Sequence, residues 1–227
     1  MEDPFGVLIV DKGKGMTSHD VVKAVRRKFS IKKVGHAGTL DPNATGVLIL
    51  LLGKATKLSD RFLNEDKEYL AVMKLGERTD SGDSDGKLME TRKVLVSEEE
   101  IKEVLRGFTG ETEQVPPMVS AKQVKGKRLY KLARKGIEVE REPRKIFIKL
   151  IEVVDADIPL VTFKVICGKG TYIRQLAEDA GENLGCGAHL TELRRLRSGS
   201  FSLDQAITFS DLLEMDRETL HESIIRI

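Results

Sequence analysis

The chain has 227 residues, 40% hydrophobic and 33% charged, which is enough apolar material to bury a sizeable core as one large or two small domains. No run of about 18 apolar residues occurs, so a helical membrane span is excluded, and Met1-Glu2-Asp3-Pro4 lacks the basic start of a secretory signal. The formal net charge of +2 singles out no partner by itself.

Gly6 to Asp11 reads as a buried strand, apolar and β-branched. Thr17 or Ser18 caps a helix running to about Phe29, with Val21, Val22 and Val25 on its apolar face. Gly35 to Gly46 reads as a glycine-studded loop. Val47 to Leu52 is an apolar run whose type periodicity leaves open. Lys54 to Leu63 is expected to be helical, with Tyr69 to Gly76 and Val94 to Val96 as strands and a turn-rich loop, Asp80 to Gly86, between them. Ser97 and Glu100 fit a capping box for a helix to about Gly107. Pro116-Pro117 makes Gln114 to Met118 an extended connection.

Further on, Leu129 to Lys135 reads as a short basic helix closed by Gly136. Arg144 to Val154 and Leu160 to Cys167 read as strands, and Thr171 to Leu184 as a helix closed by Gly185. His189 to Phe201 looks extended, and Ser210 starts a terminal helix. Strands outnumber what a βαβ repeat would give, so the expected class is α+β with a mixed, largely antiparallel sheet.

Within Gly35 to Gly46, Asp41 precedes a helix-breaking proline. Pro42 fixes its own φ and biases Asp41 toward an extended backbone. An acid held stiffly beside a buried element is a candidate reactive group. An ordinary turn is the competing reading, since Asp and Pro are common turn formers.

Charge is unevenly distributed. Lys122 to Lys149 holds eleven Lys or Arg against three Glu, a local net of +8. Lys23, Arg26, Arg27, Lys28, Lys32 and Lys33 form a second basic stretch, and Arg194, Arg195 and Arg197 a third. Asp204 to Ile227 carries six acids and two bases, a local net of −4. Separated basic clusters on a nearly neutral chain point to a phosphate-binding face, with solvated element faces as the alternative. Two cysteines, Cys167 and Cys186, make no disulfide framework, and a cytoplasmic location is the simpler expectation. Cys186 and His189 give C-x-x-H without a second ligand pair at zinc-like spacing. Gly168-Lys169-Gly170-Thr171 lacks the glycine spacing and the Gly-Lys-Thr order of a P-loop.

GHAGTLDPNATGVL, residues 35–48, resembles the catalytic motif of the TruB family of RNA pseudouridine synthases. Further segments resemble the family in its own order: Gly6 to Lys12 with Gly15-Met16-Thr17-Ser18, Lys67-Glu68-Tyr69, Leu75 to Asp80, and Asp83 to Gly86. So do Pro117 to Lys122, Gly126 to Tyr130, Lys169 to Arg174 and Gly185 to Leu190. The resemblance implies a central sheet with flanking helices, a subdomain inserted at about residues 85–145, and no C-terminal RNA-binding (PUA-type) domain.

It also implies an isomerisation that needs no cofactor or metal. Asp41 is the implied nucleophile and Arg174 its basic partner, with Asp83 orienting Arg174. Tyr69 would stack on the target base and assist proton removal at C5. Leu193 and Tyr172 would wall the uracil pocket. His36 would enter the RNA loop and fill the space of the extruded uridine. Lys12 and Lys57 would bind phosphates or brace the loop. The implied substrate is the T-loop uridine of tRNA, bound through the T-arm by a monomer with no obligate protein partner. Two alternatives are a guide-RNA-dependent synthase of an RNA–protein complex and a non-catalytic RNA-binding or tRNA-folding module.

Overall fold

In the computed structural model, Gly6–Lys12 forms strand β1, with Val7, Leu8, Ile9 and Val10 all buried. Residues 4–118, 123–124, 127–128, 137 and 139–227 are described; the expected helix from Leu129 to Lys135 lies outside them. The chain divides into two units, residues 1–69 with 193–227, and residues 70–192.

In the first unit, Thr17 caps helix α1, Ser18–Phe29. The Thr17 hydroxyl accepts from the Asp20 amide while the Asp20 carboxylate accepts from the Thr17 amide, a reciprocal box that satisfies two orphan donors. Val21, Val22, Val25 and Phe29 form its buried stripe. Strand β2, Val34–Ala37, and strand β3, Thr45–Leu52, come next. β3 settles the ambiguous apolar run as a strand. Seven of its eight residues are buried, so neither face is polar and no alternation is visible in the sequence. β3 runs antiparallel to β1, with Val10 opposite Leu48, and antiparallel to β2, with His36 opposite Leu50.

The segment expected to be one helix from Lys54 is a 3-10 turn, Gly53–Leu58, followed by α2, Ser59–Leu63. The Thr56 hydroxyl donates to the Gly53 carbonyl at 2.9 Å, a local bond that competes with the α-helical ladder. The unit is completed by the second half of β12 (Ala188–Ser198), by β13 (Phe201–Ser202) and β14 (Ile207–Thr208), and by helices α5 (Phe209–Glu214) and α6 (Arg217–Ser223). Thr208, not Ser210, caps the first of these helices. β14 adds to β1 and β12 adds to β3, both in parallel. Val7, Ile9, Val47, Ile49 and Leu51 meet Phe62 and Phe201 in one core cluster.

In the second unit, β4 (Lys67–Leu75, from Leu70 on) and β11 (Leu160–Cys167) show strict alternation, with Ala71, Met73 and Leu75, and Val161, Phe163 and Val165, pointing inward. β10, Arg144–Asp157, pairs antiparallel with β11 and with β7, Gly110–Gln114. β7 was not expected: Gly-Glu-Thr-Glu-Gln is a polar strand at the end of the sheet order, with only Gln114 buried. Helix α3, Glu98–Gly107, begins with the expected Ser97–Glu100 box and packs on β10. The expected strand Val94–Val96 is not one. The strand is β6, Leu88–Thr91, paired with β5, Glu77–Thr79. Val94 instead packs against Gly76, where an added Cβ would meet it at 2.7 Å. A two-residue pair, β8 (Gln123–Val124) with β9 (Lys127–Arg128), precedes β10.

Helix α4, Ile173–Asn183, closes at Gly185, whose φ is +76°. The pairing is mixed and largely antiparallel, as an α+β chain requires. No helix among the described residues is long and apolar enough to cross a membrane.

Gly181 shows how tightly α4 is held. A Cβ there would lie 2.2 Å from the Ala188 amide nitrogen and 2.4 Å from the Gly187 carbonyl carbon. Helix propensity favours Ala over Gly by about 1 kcal/mol, but overpacking against backbone costs roughly 1–3 kcal/mol and has no flexible side chain to absorb it. Gly181→Ala is therefore expected to lower stability, read as a lower urea midpoint at unchanged slope. An unchanged or raised midpoint would contradict this packing.

Candidate functional site

The turn joining β2 to β3 carries Asp41, and three segments remote in sequence fix it. Ser18, buried at the start of α1, accepts from the Leu40 amide at 2.8 Å and donates to the Leu40 carbonyl at 3.1 Å. The Lys12 ammonium, at the end of β1, donates to the carbonyls of Gly13, Met16 and Pro42 at 2.8, 2.8 and 3.0 Å. The Gly15 amide also donates to Pro42, and the Ala44 amide turns back onto the Asp41 carbonyl.

Arg195, on β12, is 1% exposed. Its Nε donates to the Val47 carbonyl at 2.7 Å and its Nη2 to the Gly38 carbonyl at 3.1 Å. Gly46 makes this approach possible. Its φ is +101°, and a Cβ there would lie 2.2 Å from the Arg195 carbonyl oxygen.

Lys12 is fully buried, with its donors on the carbonyls of the loop. Burial pushes its pKa down from 10.5 to about 8, Asp41 pulls it back up, and Arg195 lowers it further. His36 sits in β2, not in a loop. Burial, then Arg195 and His19, lower its pKa and favour the neutral ring, and its Nδ1 has no hydrogen-bond partner among the described residues. Lys57 is exposed on the 3-10 turn. Tyr69 is buried on β4 behind two anchored neighbours. The buried Lys67 ammonium donates to the Phe62, Leu63 and Glu65 carbonyls around the end of α2, and Glu68 pairs with Arg197 at 3.0 Å. Leu193 is half-buried on β12.

The basic stretch Arg194, Arg195 and Arg197 is engaged within the protein. Arg194 forks onto Asp11 at 2.7 and 3.2 Å, Arg197 holds Glu68, and Arg195 is buried. The second stretch, by contrast, leaves Lys23, Arg26, Arg27, Lys28, Lys32 and Lys33 exposed.

In the second unit, the buried Arg174 guanidinium donates to the Ser81 carbonyl at 2.9 Å and lies 3.6 Å from the Asp83 carboxylate. Ser81 donates to Asp83 at 2.5 Å, and the Thr79 hydroxyl to the Asp83 carbonyl at 2.8 Å. The turn from Asp80 to Gly86 thus meets Arg174 through the Ser81 carbonyl and the Asp83 carboxylate. Glu178, one turn along α4, lies under Gly82, and burial raises its pKa to about 7. Tyr172 is the N-terminal boundary residue of α4. Among the described residues no three His, Cys, Asp or Glu side chains form a metal site. His189 Nδ1 contacts the Glu77 carbonyl at 3.2 Å.

The chain matches two family models: "TruB family pseudouridylate synthase (N terminal domain)" over residues 26–173, and "tRNA pseudouridylate synthase B C-terminal domain" over 174–226. The first covers Asp41 and its loop. The chain belongs to the TruB family.

Among its relatives is the tRNA pseudouridine synthase B of Dechloromonas aromatica (strain RCB), 49% identical over 98% of this chain and 74% of that protein. The tRNA pseudouridine synthase B of Chlamydia abortus (strain DSM 27085 / S26/3) is 51% identical over 89% of this chain and 86% of that protein. A chain in the crystal structure of a Cbf5–Nop10–Gar1 complex superposes with a TM-score of 0.77 at 35% identity, over 98% of this chain and 60% of that one. A chain in the structure of an H/ACA RNP bound to a substrate RNA containing 2′-deoxyuridine superposes at 0.71 with 33% identity, over 97% of this chain and 56% of that one.

The TruB motif from Gly35 to Leu48 thus occupies β2, the clamped turn and the first half of β3. Arg195 is the residue of the Asp41 surroundings that the sequence did not single out. It stood among three arginines within four positions, and only the register Arg195 opposite Gly46 separates it from its neighbours.

The Lys12 clamp has a pH signature. Its folded pKa, about 8, lies below the unfolded 10.5, so between these values the unfolded chain binds the extra proton and native stability rises with pH. The penalty is complete below about pH 7. Lys12→Met leaves three carbonyls without their donor and is expected to be destabilised at neutral pH. The stability gap between wild type and Lys12→Met should widen from about pH 8 to 10.5, measured by urea denaturation. A gap constant across that range would contradict a buried ammonium.

Proposed function

We propose that this TruB-family chain converts a T-loop uridine of tRNA to pseudouridine, with Asp41 as the nucleophilic carboxylate. The observation that carries the reading is the clamped turn. A carboxylate whose flanking residues are bonded to Ser18, Lys12 and Arg195 is held in one place before substrate arrives. Preorganisation of this kind removes the cost of orienting a reacting group. The reaction breaks the bond between uracil N1 and ribose C1′, turns the base, and forms the C5–C1′ bond. The C5 proton is lost and N1 gains one, so no atom or electron is gained overall. A carboxylate can carry the intermediate covalently.

Tyr69, Arg174, Tyr172, Leu193 and His36 are proposed to serve the same reaction. Tyr69 stacks on the base and assists proton loss at C5, while Leu193 and Tyr172 line the uracil. His36, with its neutral ring favoured, replaces the extruded base in the RNA stack. Arg174 supplies a positive charge that Asp83 and the Ser81 carbonyl keep aimed. Lys57 and the exposed basic stretch around α1 meet phosphates.

The relatives named for tRNA are 49 and 51% identical, against 35 and 33% for the chains in RNA–protein complexes. That ordering supports a stand-alone enzyme over a guided one, and the proposed form is a cytoplasmic monomer.

The pure protein should form pseudouridine at one T-loop position of an unmodified tRNA transcript, without guide RNA. Asp41→Asn should abolish product, a loss of at least about 10⁴-fold, while tRNA affinity stays within about threefold. Turnover by Asp41→Asn would remove the nucleophile assignment, and a requirement for added guide RNA would move the chain to the guided class. Arg174→Lys should lower kcat about 100-fold, because an ammonium cannot reproduce the planar fork between Ser81 and Asp83. An unchanged kcat would show that this charge is not used.

A further inference from the structure

Helix α4 starts in an unusual way. Its N-cap is Tyr172, an aromatic residue that makes no side-chain cap. Preferred N-caps are Ser, Thr, Asp and Asn, whose short side chains reach back to the first amides. Thr171 stands one residue earlier and spends its hydroxyl on the Gly168 carbonyl, at 3.1 Å. The sequence thus places a poor cap at the position that leads into Arg174, and that position is held from elsewhere.

It is held from β7. Gln114, 3% exposed and 58 residues away, meets Tyr172 with both ends of its amide. Its Nε2 donates to the Tyr172 carbonyl at 3.0 Å, and its Oε1 accepts from the Tyr172 amide at 2.8 Å. The orientation of the amide follows from chemistry, since a backbone N–H needs an acceptor and a carbonyl needs a donor. The same carbonyl accepts the first helical bond from Leu176, at 3.1 Å. Gln114 therefore behaves as one more strand residue paired with Tyr172, and fixes both φ and ψ there.

Its cross-strand partner holds the ring. Arg144 lies opposite Gln114 in the β7–β10 ladder. The Arg144 guanidinium sits over the Tyr172 ring, 4.9 Å from its centroid, and also donates to the Gly170 carbonyl. One cross-strand pair thus grips Tyr172 twice, by its backbone and by its ring face.

We infer that Gln114, with Arg144 beside it, is the positioning residue for Tyr172 and for the first turn of α4 that carries Arg174. The inference rests on the proposed roles of Tyr172 and Arg174 in pseudouridine formation. Gln114 touches no reacting atom in this reading. It sets where the pocket wall and the charge stand.

Gln114→Glu gives a test that simple packing would not pass. A carboxylate at this position still accepts from the Tyr172 amide but repels the Tyr172 carbonyl. Once protonated, it can again accept from the amide and donate to the carbonyl. The variant should lose kcat about tenfold or more near pH 8 and regain it as pH falls toward about 6, a recovery the wild type does not show. Gln114→Leu should lose kcat similarly at every pH, with tRNA affinity within about threefold.

A second readout is independent of activity. The chain has three tyrosines and no tryptophan, so the Tyr172 ring carbon resonances can be assigned by substitution and followed by NMR. They should shift in both variants, and in Gln114→Glu return toward the wild-type position at low pH. Wild-type kcat in both variants would overturn the inference, as would equal losses with no pH recovery and an unmoved Tyr172 resonance. If the wild type makes no pseudouridine, the functional reading fails instead. The Tyr172 resonances then decide the positioning alone: a shift that reverses with pH upholds it, and an unmoved resonance overturns it.

Discussion

A buried guanidinium organises the first unit. Arg195 is shut away from water, so its donors must find acceptors inside the protein. They find the carbonyls of Val47 and Gly38, at either side of the Asp41 turn. Because one planar group spans both, the turn cannot widen or twist without stranding a charge. Gly46 is a condition of the same arrangement, since any side chain there would strike the Arg195 backbone. Lys12 repeats the logic from the other side, a second buried cation spent on carbonyls.

The second unit uses a different device for its own cation. Arg174 stands near the start of a helix, and its surroundings are a tight turn on one side and an edge strand on the other. Ser81 and Asp83 take the guanidinium, while Gln114 and Arg144 take the residue two positions earlier. The helix thereby has its start fixed at both ends of the tripeptide Tyr172-Ile173-Arg174. Side chains from β7 and β10 hold the N-cap residue itself, by its own amide, its carbonyl and its ring, so that position 172 can carry an aromatic side chain.

The sequence disclosed those parts of the fold whose cause is local. α1 and α3 were legible because a capping box and a valine or leucine stripe lie within a few residues of each other. β4 and β11 were legible because one face is buried and one is not. β3 was ambiguous for the opposite reason, being buried on both faces. β7 went unseen because four of its five residues are partly or fully exposed and polar or glycine, so only its ladder to β10 makes it a strand. Val94 to Val96 misled because an apolar triplet resembles a strand, whereas Leu95 is 86% exposed. Within the site, Asp41 announced itself by proline and glycines. Arg195 could not, since nothing in Leu-Arg-Arg-Leu-Arg distinguishes the arginine that will be buried from the two that will meet Asp11 and Glu68.

The Asp41 turn is closed by bonds of long sequence separation, 157 residues from Arg195 to Gly38 and 148 to Val47. Contacts of that span form only after the intervening chain has been made and brought back on itself. On the ribosome, residues 35–48 emerge early, yet their final geometry waits for a strand nearly 150 residues downstream. Asp41 consequently reaches its clamped position late in the life of the nascent chain, and the motif most telling in the sequence is among the last parts to take its final shape.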